Sequence, residues 1–127
     1  MTAPAFPQRR ILVVDDEPFV CEAVKMMLNF DGHIVETAGD PREALAMFEP
    51  GKYDLVMTDY SMPSMKGDAL ARAIKARDAK QPVVMITAYA EVLPKSLEGV
   101  DDVVPKPFLL ENLRAAMARV LSPSPAS

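Results

Sequence analysis

The segment Leu55–Gly67, LVMTDYSMPSMKG, decides the fold of this 127-residue chain. It begins with a short apolar run, changes abruptly to a carboxylate at Asp59, and continues as a loop that contains Pro63 and ends at Gly67. A continuous apolar run of this kind is typical of a strand that is buried on both faces of a parallel sheet. The segment therefore predicts a central strand that brings Asp59 to the edge of a sheet.

Four other segments have the composition of strands, and amphipathic segments with helical spacing separate them. The five predicted strands cover residues 10–14, 33–37, 53–58, 82–87 and 101–104. Strands that alternate with helices require right-handed crossovers and a mostly parallel sheet. The sequence therefore predicts an α/β fold, with helices packed on both faces of a five-stranded sheet.

The helix boundaries follow from capping residues and apolar spacing. The first helix is predicted to begin at Pro18, to end before Asp31-Gly32, and to carry an apolar stripe that includes Phe19 and Ala23. Asp40 is the expected N-cap of the second helix. The third helix is predicted after Gly67. The last is predicted over residues 108–121, and the apolar residues expected on one side of it are Leu109, Leu113, Met117 and Val120.

Composition narrows the class of protein. The net charge of −4 and the lack of a basic run argue against nucleic-acid binding by this domain. No apolar run approaches the roughly 18 residues of a membrane span, so we expect no membrane insertion. The single cysteine, Cys21, is expected to be a buried thiol, which suits the reducing cytoplasm. One folded domain is expected at residues 9–121, with a flexible tail at 1–8 and a tail or linker at 122–127.

Acidic residues lie at the ends of two predicted strands. Asp15 and Asp16 follow the first strand, and Asp59 ends the third. Ligands of doubly wound sheets bind at the carboxyl ends of the strands, and clustered carboxylates need protons or a cation to offset their charge. Oxygen ligands suit Mg²⁺, so the cluster predicts a magnesium site. The alternative is that Asp16 only caps a helix and Asp59 only starts a turn.

Thr87 and Lys106 lie at the ends of the fourth and fifth predicted strands. A threonine hydroxyl can donate to a phosphoryl oxygen, and a lysine ammonium can pair first with a carboxylate and then with a phosphate. Lys106 lies between Pro105 and Pro107, which restricts it and raises the chance of a cis peptide before Pro107. Taken alone, Lys106 would be an ordinary surface lysine.

Together these motifs resemble the receiver domain of a bacterial two-component response regulator. The matching pieces occur in the family's order and cover about residues 9–121; they are residues 12–17 (LVVDDE), 59–67 (DYSMPSMKG), 86–89 (ITAY) and 105–108 (PKPF). The resemblance implies a flavodoxin-like three-layer sandwich with strand order 2-1-3-4-5, the order that a member of this family already illustrates in general accounts of the fold.

The resemblance also implies a role for each site residue. Asp59 would be the nucleophile that takes a phosphoryl group from a sensor histidine kinase or a phosphotransfer protein, in a Mg²⁺-dependent reaction. Asp16, Asp59 and the Ser61 carbonyl would bind the metal directly, and Asp15 would act through water. Thr87 and Lys106 would hold the phosphoryl oxygens.

The implied protein is a cytoplasmic phosphoprotein of bacterial signal transduction, a monomer or weak dimer that switches partner interactions. It would promote its own phosphorylation and dephosphorylation without turning over external substrates. Since no output domain is evident, a stand-alone role as a phosphate relay or protein-binding switch is the simplest expectation, and whether the chain is full length or a piece of a larger regulator stays open.

The chain departs from the family pattern in two places. Val103 occupies the position three before the lysine, where the family usually has an aromatic residue whose rotation is coupled to the threonine; Tyr89 is a candidate substitute. The span from Thr87 to Lys106 is also about one helical turn shorter than usual and contains Pro94. We therefore expect the fourth helix to be short, displaced or partly irregular.

Two alternative functions stay open at this point. The departures allow a phosphorylation-independent interaction module on the same fold, although such a module has no need for all the site residues. A Mg²⁺-dependent phosphatase of the haloacid-dehalogenase type also uses an aspartyl phosphate. Its Asp-x-Asp-x-Thr motif differs from Asp59-Tyr60-Ser61 here. His33 is the only histidine and begins a strand, which argues against a phosphohistidine-carrying domain.

Overall fold

The computed structural model describes residues 7–91, 93 and 97–121. In these residues five strands and four helices alternate along the chain until β4, which is followed by a turn. The strands are β1 (Arg10–Val14), β2 (Ile34–Ala38), β3 (Leu55–Asp59), β4 (Val83–Thr87) and β5 (Asp102–Pro105). The helices are α1 (Pro18–Phe30), α2 (Pro41–Met47), α3 (Gly67–Arg77) and α4 (Leu110–Leu121).

The strands form one parallel sheet in the order β2-β1-β3-β4-β5. The predicted fold class and strand order are therefore confirmed. Strand order reverses between β1 and β3, and both strands are almost completely buried because helices cover both faces of the sheet. The carboxyl ends of β1 and β3 consequently lie side by side at the point where such sheets bind ligands.

Two apolar layers hold the sheet between the helices. One layer packs α1 and α4 against one face and contains Val24, Leu28 and Leu113. The other packs α2 and α3 against the opposite face and contains Phe48 and Ile74. Because the strands contribute alternate side chains to the two layers, helices pack against the sheet from both sides.

Local signals explain where the helices begin. The Asp40 carboxylate accepts hydrogen bonds from the N–H groups of Arg42 and Glu43, at 2.8 and 3.0 Å, so Asp40 caps α2 as predicted. α1 begins at Pro18 and ends at Phe30, also as predicted. The Cys21 thiol is buried in the layer between α1 and the sheet, which confirms the prediction of a buried thiol.

The predicted start of the last helix and some of the predicted buried helix faces are wrong. The last helix begins at Leu110 and not at residue 108, because the Asn112 side chain accepts a hydrogen bond from the Leu109 N–H and caps the helix there. Leu109 is consequently 63% exposed. In α1, Phe19 and Ala23 also point outwards, while Cys21, Val24 and Leu28 form the buried stripe.

The expected fourth helix falls partly on residues that the structure does not describe. Residues 88–91 form a turn, and the Leu93 N–H donates to the Tyr89 carbonyl at 3.1 Å. Pro94 lies outside the described residues. Among the residues described between β4 and β5, none is assigned to a helix, and the shape of this segment stays a prediction. Val103 pairs with Met85 in the sheet and is half-buried.

Candidate functional site

Three carboxylates meet at the carboxyl edge of the sheet. β1 and β3 are paired with Val14 opposite Thr58, so Asp15 and Asp59 leave neighbouring strands at the same level. Asp15, Asp16 and Asp59 each offer a carboxylate oxygen, and these oxygens all lie within 4.8 Å of one another. The sequence placed these residues at strand ends, and the fold brings them together.

Lys106 reaches into this cluster from the end of β5. Its Nζ lies 3.0 Å from Asp59 Oδ1 and 3.3 Å from Asp15 Oδ2. The Lys106 N–H donates to the Thr87 carbonyl at 2.8 Å, which ties the residue to the neighbouring strand. The peptide between Lys106 and Pro107 is cis, as the sequence suggested. The lysine is thereby held from both its backbone and its ammonium group.

The pKa shifts of Asp15 and Lys106 reflect burial and the crowding of acids around one cation. Burial raises the pKa of Asp15, and the nearby charge of Asp59 raises it further against the hydrogen bond from the Glu17 N–H and the attraction of Lys106. Burial by itself would lower the pKa of Lys106, but the hydrogen bond to Asp59 and the charges of Asp15 and Asp59 outweigh it and raise that pKa. Lys106 therefore stays protonated, as one cation among three acids.

The two aspartates after β1 differ in their surroundings. Asp15 is buried, and its Oδ1 accepts a hydrogen bond from the Glu17 N–H at 2.9 Å. Asp16 is exposed at the rim of the cluster, where a metal ion or its water shell has access. Ser61 is half-buried in the loop two residues beyond Asp59, and its part in metal binding stays a prediction.

Thr87 lies at the same edge, at the end of β4. Asp59 pairs with Ile86 in the sheet, so Thr87 is one residue further along the neighbouring strand. Its side chain is buried, and its Oγ1 accepts a hydrogen bond from the Tyr89 N–H at 3.0 Å. Tyr89 itself is 52% exposed. A single hydrogen bond therefore connects the edge of the site to an exposed aromatic residue in the following turn.

Sequence reasoning treated Gly67 only as the end of a loop, and the structure gives it a closer role. The Gly67 N–H donates to the Tyr60 carbonyl at 2.8 Å. A Cβ atom at Gly67 would overlap the backbone carbonyl oxygen of Asp59. The absence of a side chain lets α3 begin directly against the end of β3. The available signal was a glycine eight residues after Asp59, at the end of the loop that follows an apolar strand.

The donor set suits a hard divalent cation. All the clustered side-chain ligands are carboxylate oxygens, and one lysine cannot balance three of them. Mg²⁺ takes oxygen ligands and often uses one or two carboxylates with water and phosphate oxygens. A phosphoryl group bound beside Asp59 would bring further negative charge, which the same cation and Lys106 could offset.

A doubly wound sheet with an acidic cluster and a lysine at its switch point defines a class of signalling domains that act through an aspartate. Residues 11–118 match the family described as "Response regulator receiver domain". The chain belongs to the response regulator receiver domain family, the phosphoacceptor component of two-component signalling.

Relatives of known function agree with this assignment. The chain is 38% identical over 115 residues to the response regulator MprA of Mycolicibacterium vanbaalenii, a match that covers 88% of this chain and 50% of the relative. It is 36% identical over 115 residues to the transcriptional regulatory protein TrcR of Mycobacterium tuberculosis, with 88% and 45% covered. The chain thus spans about half the length of the curated relatives it matches.

Solved structures of similar size share the fold. A response regulator receiver domain protein from Clostridium thermocellum superposes with a TM-score of 0.81 at 29% identity, over 88% of this chain and 93% of that one. The response regulator TrrA of Thermotoga maritima, crystallised in complex with Mg(2+)-BeF, gives a TM-score of 0.79 at 34% identity, over 89% and 99%. In the part of the chain that the structure describes, no helix is long and apolar enough to cross a membrane.

Proposed function

We propose that Asp59 is the phosphoacceptor of this receiver domain. The observation that carries the proposal is the contact between Lys106 Nζ and Asp59 Oδ1, 3.0 Å long, inside a cluster of three carboxylates. Asp59 is almost fully buried at the end of a central strand, yet it lies where doubly wound sheets open to their ligands. The strand and Lys106 fix the position of this carboxylate, and a ligand can approach it from the carboxyl ends of the strands.

The proposed reaction is a phosphoryl transfer between two proteins. A carboxylate oxygen of Asp59 forms a bond to phosphorus while the bond between phosphorus and the imidazole nitrogen of the donor histidine breaks. The electron pair of the broken bond stays on that nitrogen, which then takes a proton from solvent. Because the transferred group carries its charge on its outer oxygens, positioning and charge compensation supply most of the catalysis.

The acidic residues are the proposed Mg²⁺ ligands. Asp16 and Asp59 would hold the ion directly, with the Ser61 carbonyl, and Asp15 would act through water. When bound, the ion supplies positive charge against the phosphoryl oxygens. The convergence of three carboxylate oxygens within 4.8 Å fits this group, and the Mg(2+)-BeF complex of the similar TrrA protein supports it.

Thr87 and Lys106 are the proposed contacts to the phosphoryl oxygens. A hydroxyl accepts and donates at the same time, so the bond from the Tyr89 N–H leaves the Thr87 hydrogen for a phosphoryl oxygen. Lys106 already spans Asp15 and Asp59, and it needs only a small movement to pair with a phosphoryl group bound on Asp59. The two residues would therefore respond together when the group arrives.

Family membership supports a proposal for the cellular setting. We infer that the phosphodonor is a sensor histidine kinase or a phosphotransfer protein and that the domain acts in the cytoplasm of a bacterium. The domain would catalyse its own phosphorylation and dephosphorylation without turning over other substrates. We place the folded receiver at residues 9–121; most of the expected tails, residues 1–6 and 122–127, lies outside the described residues.

A phosphorylation-independent interaction module is the second candidate function. Val103 in place of an aromatic residue favours it, because valine has no ring that could move between solvent and core when Thr87 moves. The intact contacts among Asp15, Asp59 and Lys106 argue against it, since a cluster of carboxylates has a cost in stability that a purely structural role does not require.

Chemical trapping of the acyl phosphate tests the assignment of the acceptor. The protein is incubated with acetyl phosphate and Mg²⁺, reduced with borohydride, digested and analysed by mass spectrometry. An aspartyl phosphate at residue 59 is converted to homoserine, whereas a phosphate ester on Thr58, Tyr60 or Ser61 is not. Homoserine at position 59 supports the proposal, and label on a neighbouring hydroxyl or on Asp15 would overturn it.

A further inference from the structure

Thr58 is a polar side chain in the buried part of β3. It follows the apolar residues 55–57, immediately precedes Asp59, and is 0% exposed. Burying a hydroxyl costs free energy unless the group is hydrogen-bonded, and valine has nearly the same shape and also favours strands. A threonine at this position is therefore expected to have a specific partner.

The partner of Thr58 is the backbone of the proposed phosphoacceptor. The Thr58 hydroxyl, Oγ1, donates a hydrogen bond to the Asp59 carbonyl oxygen at 2.9 Å. That carbonyl belongs to the peptide that joins Asp59 to Tyr60, where the strand ends and the loop begins. The hydrogen bond therefore restricts rotation of the Asp59 backbone at the end of the strand.

Gly67 limits the space around the same carbonyl oxygen. A Cβ atom at position 67 would overlap that oxygen, so the start of α3 lies directly against it. The Gly67 N–H also donates to the next carbonyl, that of Tyr60, at 2.8 Å. Two successive carbonyl groups at the end of β3 are thus fixed, one by Thr58 and one by Gly67.

We propose that Thr58 is a positioning residue for phosphoryl transfer. By holding the Asp59 backbone, it sets the direction in which the Asp59 carboxylate leaves the strand towards Lys106, whose Nζ lies 3.0 Å from Oδ1. The proposal rests on the proposed function, in which Asp59 is the acceptor. Thr58 acts through Asp59, and the proposal assigns it no contact with the phosphoryl group or the metal.

The hydrogen bond is shorter than the contact that a methyl group makes with an oxygen. A hydroxyl approaches a carbonyl oxygen to about 2.7–2.8 Å, whereas carbon-to-oxygen contacts are about 3.3–3.6 Å long. Thr58→Val would therefore lengthen the observed separation of 2.9 Å by roughly 0.4–0.7 Å. Because α3 already lies against the oxygen at Gly67, we expect the Asp59 backbone to shift.

A small shift of the acceptor has a measurable effect on the rate. A misplacement of about 1 Å can slow a reaction on the order of 100-fold, because the reacting atoms must be close and aligned. A shift of a few tenths of an ångström is therefore expected to slow phosphorylation of Thr58→Val about 5–10-fold.

A purely structural role for the hydroxyl predicts a different order of variants. Thr58→Ser keeps the hydroxyl and loses a buried methyl group, so it should lower the urea midpoint and restore nearly the wild-type labelling rate. Thr58→Val keeps the volume and loses the hydroxyl, so it should be more stable than Thr58→Ser and yet be labelled more slowly. If the residue only filled the core, the labelling rate would follow stability.

Intact-protein mass measured over time with acetyl phosphate and Mg²⁺ gives the labelling rate. Measurements at several donor concentrations separate the rate constant from the concentration that gives half the maximal rate. We expect Thr58→Val to lower the rate constant about 5–10-fold and to leave the half-saturating concentration nearly unchanged. Thr37→Val is the matched control, since Thr37 is a half-buried threonine in β2, two strands away, and should be labelled at nearly the wild-type rate.

Titration of the unphosphorylated protein with Mg²⁺ alone, followed by NMR, gives a second measurement that does not depend on labelling. A shifted Asp59 carboxylate should bind Mg²⁺ several-fold more weakly in Thr58→Val, whereas Thr58→Ser and Thr37→Val should bind it as the wild type does.

The proposal is overturned if Thr58→Val matches the wild type in both measurements, or if Thr58→Ser is labelled as slowly as Thr58→Val. Absence of labelling in the wild type would refute the assignment of the acceptor. Equal labelling of the wild type and Thr58→Val would refute only the role of Thr58.

Discussion

Aspartates have different roles at the two ends of the parallel strands, here called the amino edge and the carboxyl edge of the sheet. At the amino edge, Asp54 and Asp101 each precede a strand and accept a hydrogen bond from the first N–H of the neighbouring strand, from Arg10 and Val83, at 2.8 Å. Asp101 is also paired with Lys75. At the carboxyl edge, three carboxylates share one lysine. The acids at the amino edge have partners of their own, whereas the three at the carboxyl edge share a single cation.

The difference shows which charges belong to the fold and which to the function. A charge that supports the fold has its partners built into the chain, as Asp101 does. A cluster that its own chain leaves unbalanced is stable only because the rest of the fold compensates for it, and it is suited to take up a cation and a phosphoryl group. The contrast predicts that the same kind of substitution has opposite effects at the two edges.

The largest expected loss of stability follows removal of the central cation. Lys106→Met leaves the buried Asp15 and Asp59 carboxylates facing each other, and we expect it to lower the free energy of unfolding by about 2–4 kcal/mol. Lys75→Met is the matched control, because both lysine side chains are 21% exposed. Its partner Asp101 is far more exposed, so the expected loss is below about 1 kcal/mol. Urea denaturation measures both, and equal losses would contradict the contrast.

Removal of an acid at the amino edge should also destabilise the fold. Asp101→Ala takes away the acceptor of the Val83 N–H, and an unsatisfied buried donor costs about 1–3 kcal/mol. Asp102→Ala is the control, since Asp102 forms an ion pair with the exposed Arg119 and its removal should cost less than about 1 kcal/mol. The same urea measurement applies, and the idea fails if the two variants are equally stable.

Neutralising an acid at the carboxyl edge should stabilise the fold. Asp15→Asn keeps an oxygen that can accept from the Glu17 N–H. It loses the ion pair with Lys106, but it removes the cost of burying a charge and the repulsion from Asp59, which together raise the pKa of Asp15. Two like charges about 4 Å apart cost about 1 kcal/mol even in water, so we expect a gain on the order of 1 kcal/mol at pH 7. A lower urea midpoint for this variant would show that Asp15 is structurally satisfied.

The smallest expected effect is a pH dependence at His33. Its Nδ1 accepts a hydrogen bond from the Arg9 N–H at 3.0 Å, and burial lowers its pKa, with Asp31, Arg9 and Asp54 as the neighbouring charges. The folded protein thus keeps His33 neutral while the unfolded chain takes up a proton below the ordinary pKa of 6.5. Stability should fall as pH drops through that value, by at most about 1.4 kcal/mol per pH unit.

A variant separates His33 from the other titrating groups. His33→Asn retains an acceptor close to the position of Nδ1 and does not titrate, so its stability should fall less between pH 7.5 and 5.5. Asp31, whose pKa the hydrogen bond from Arg114 lowers, loses its contribution only as pH falls below the ordinary 3.8. The stability of both proteins is measured between pH 7.5 and 5.5. An equal fall in stability for the wild type and His33→Asn would contradict this account.

The sheet could be predicted from the sequence because its signals are local. The apolar runs indicate the strands, Pro18 indicates the start of α1, and Asp40 indicates the start of α2. The strand order followed from the family resemblance. The acids of the site were found because they interrupt apolar strands at their ends. Lys106 was found through its place between two prolines and its family motif.

Other features depend on contacts between distant parts of the chain. The outward direction of Phe19 could not be read from a helix whose two faces are both apolar, because spacing does not tell which stripe meets the sheet. The start of α4 depends on one side chain, Asn112, that caps Leu109. The close approach of Gly67 to Asp59 depends on how α3 packs against the end of β3. The glycine at position 67 is itself a signal of a close approach, but none of these contacts can be read from the local sequence alone.

The most direct test of the central claim is the mass of the intact protein after incubation with acetyl phosphate, with and without Mg²⁺. The account predicts a gain of one phosphoryl group in the wild type only when Mg²⁺ is present, and no gain in Asp59→Asn, whose fold is intact by circular dichroism. A wild-type protein that gains nothing under any condition, or an Asp59→Asn variant labelled at the wild-type rate, would contradict it.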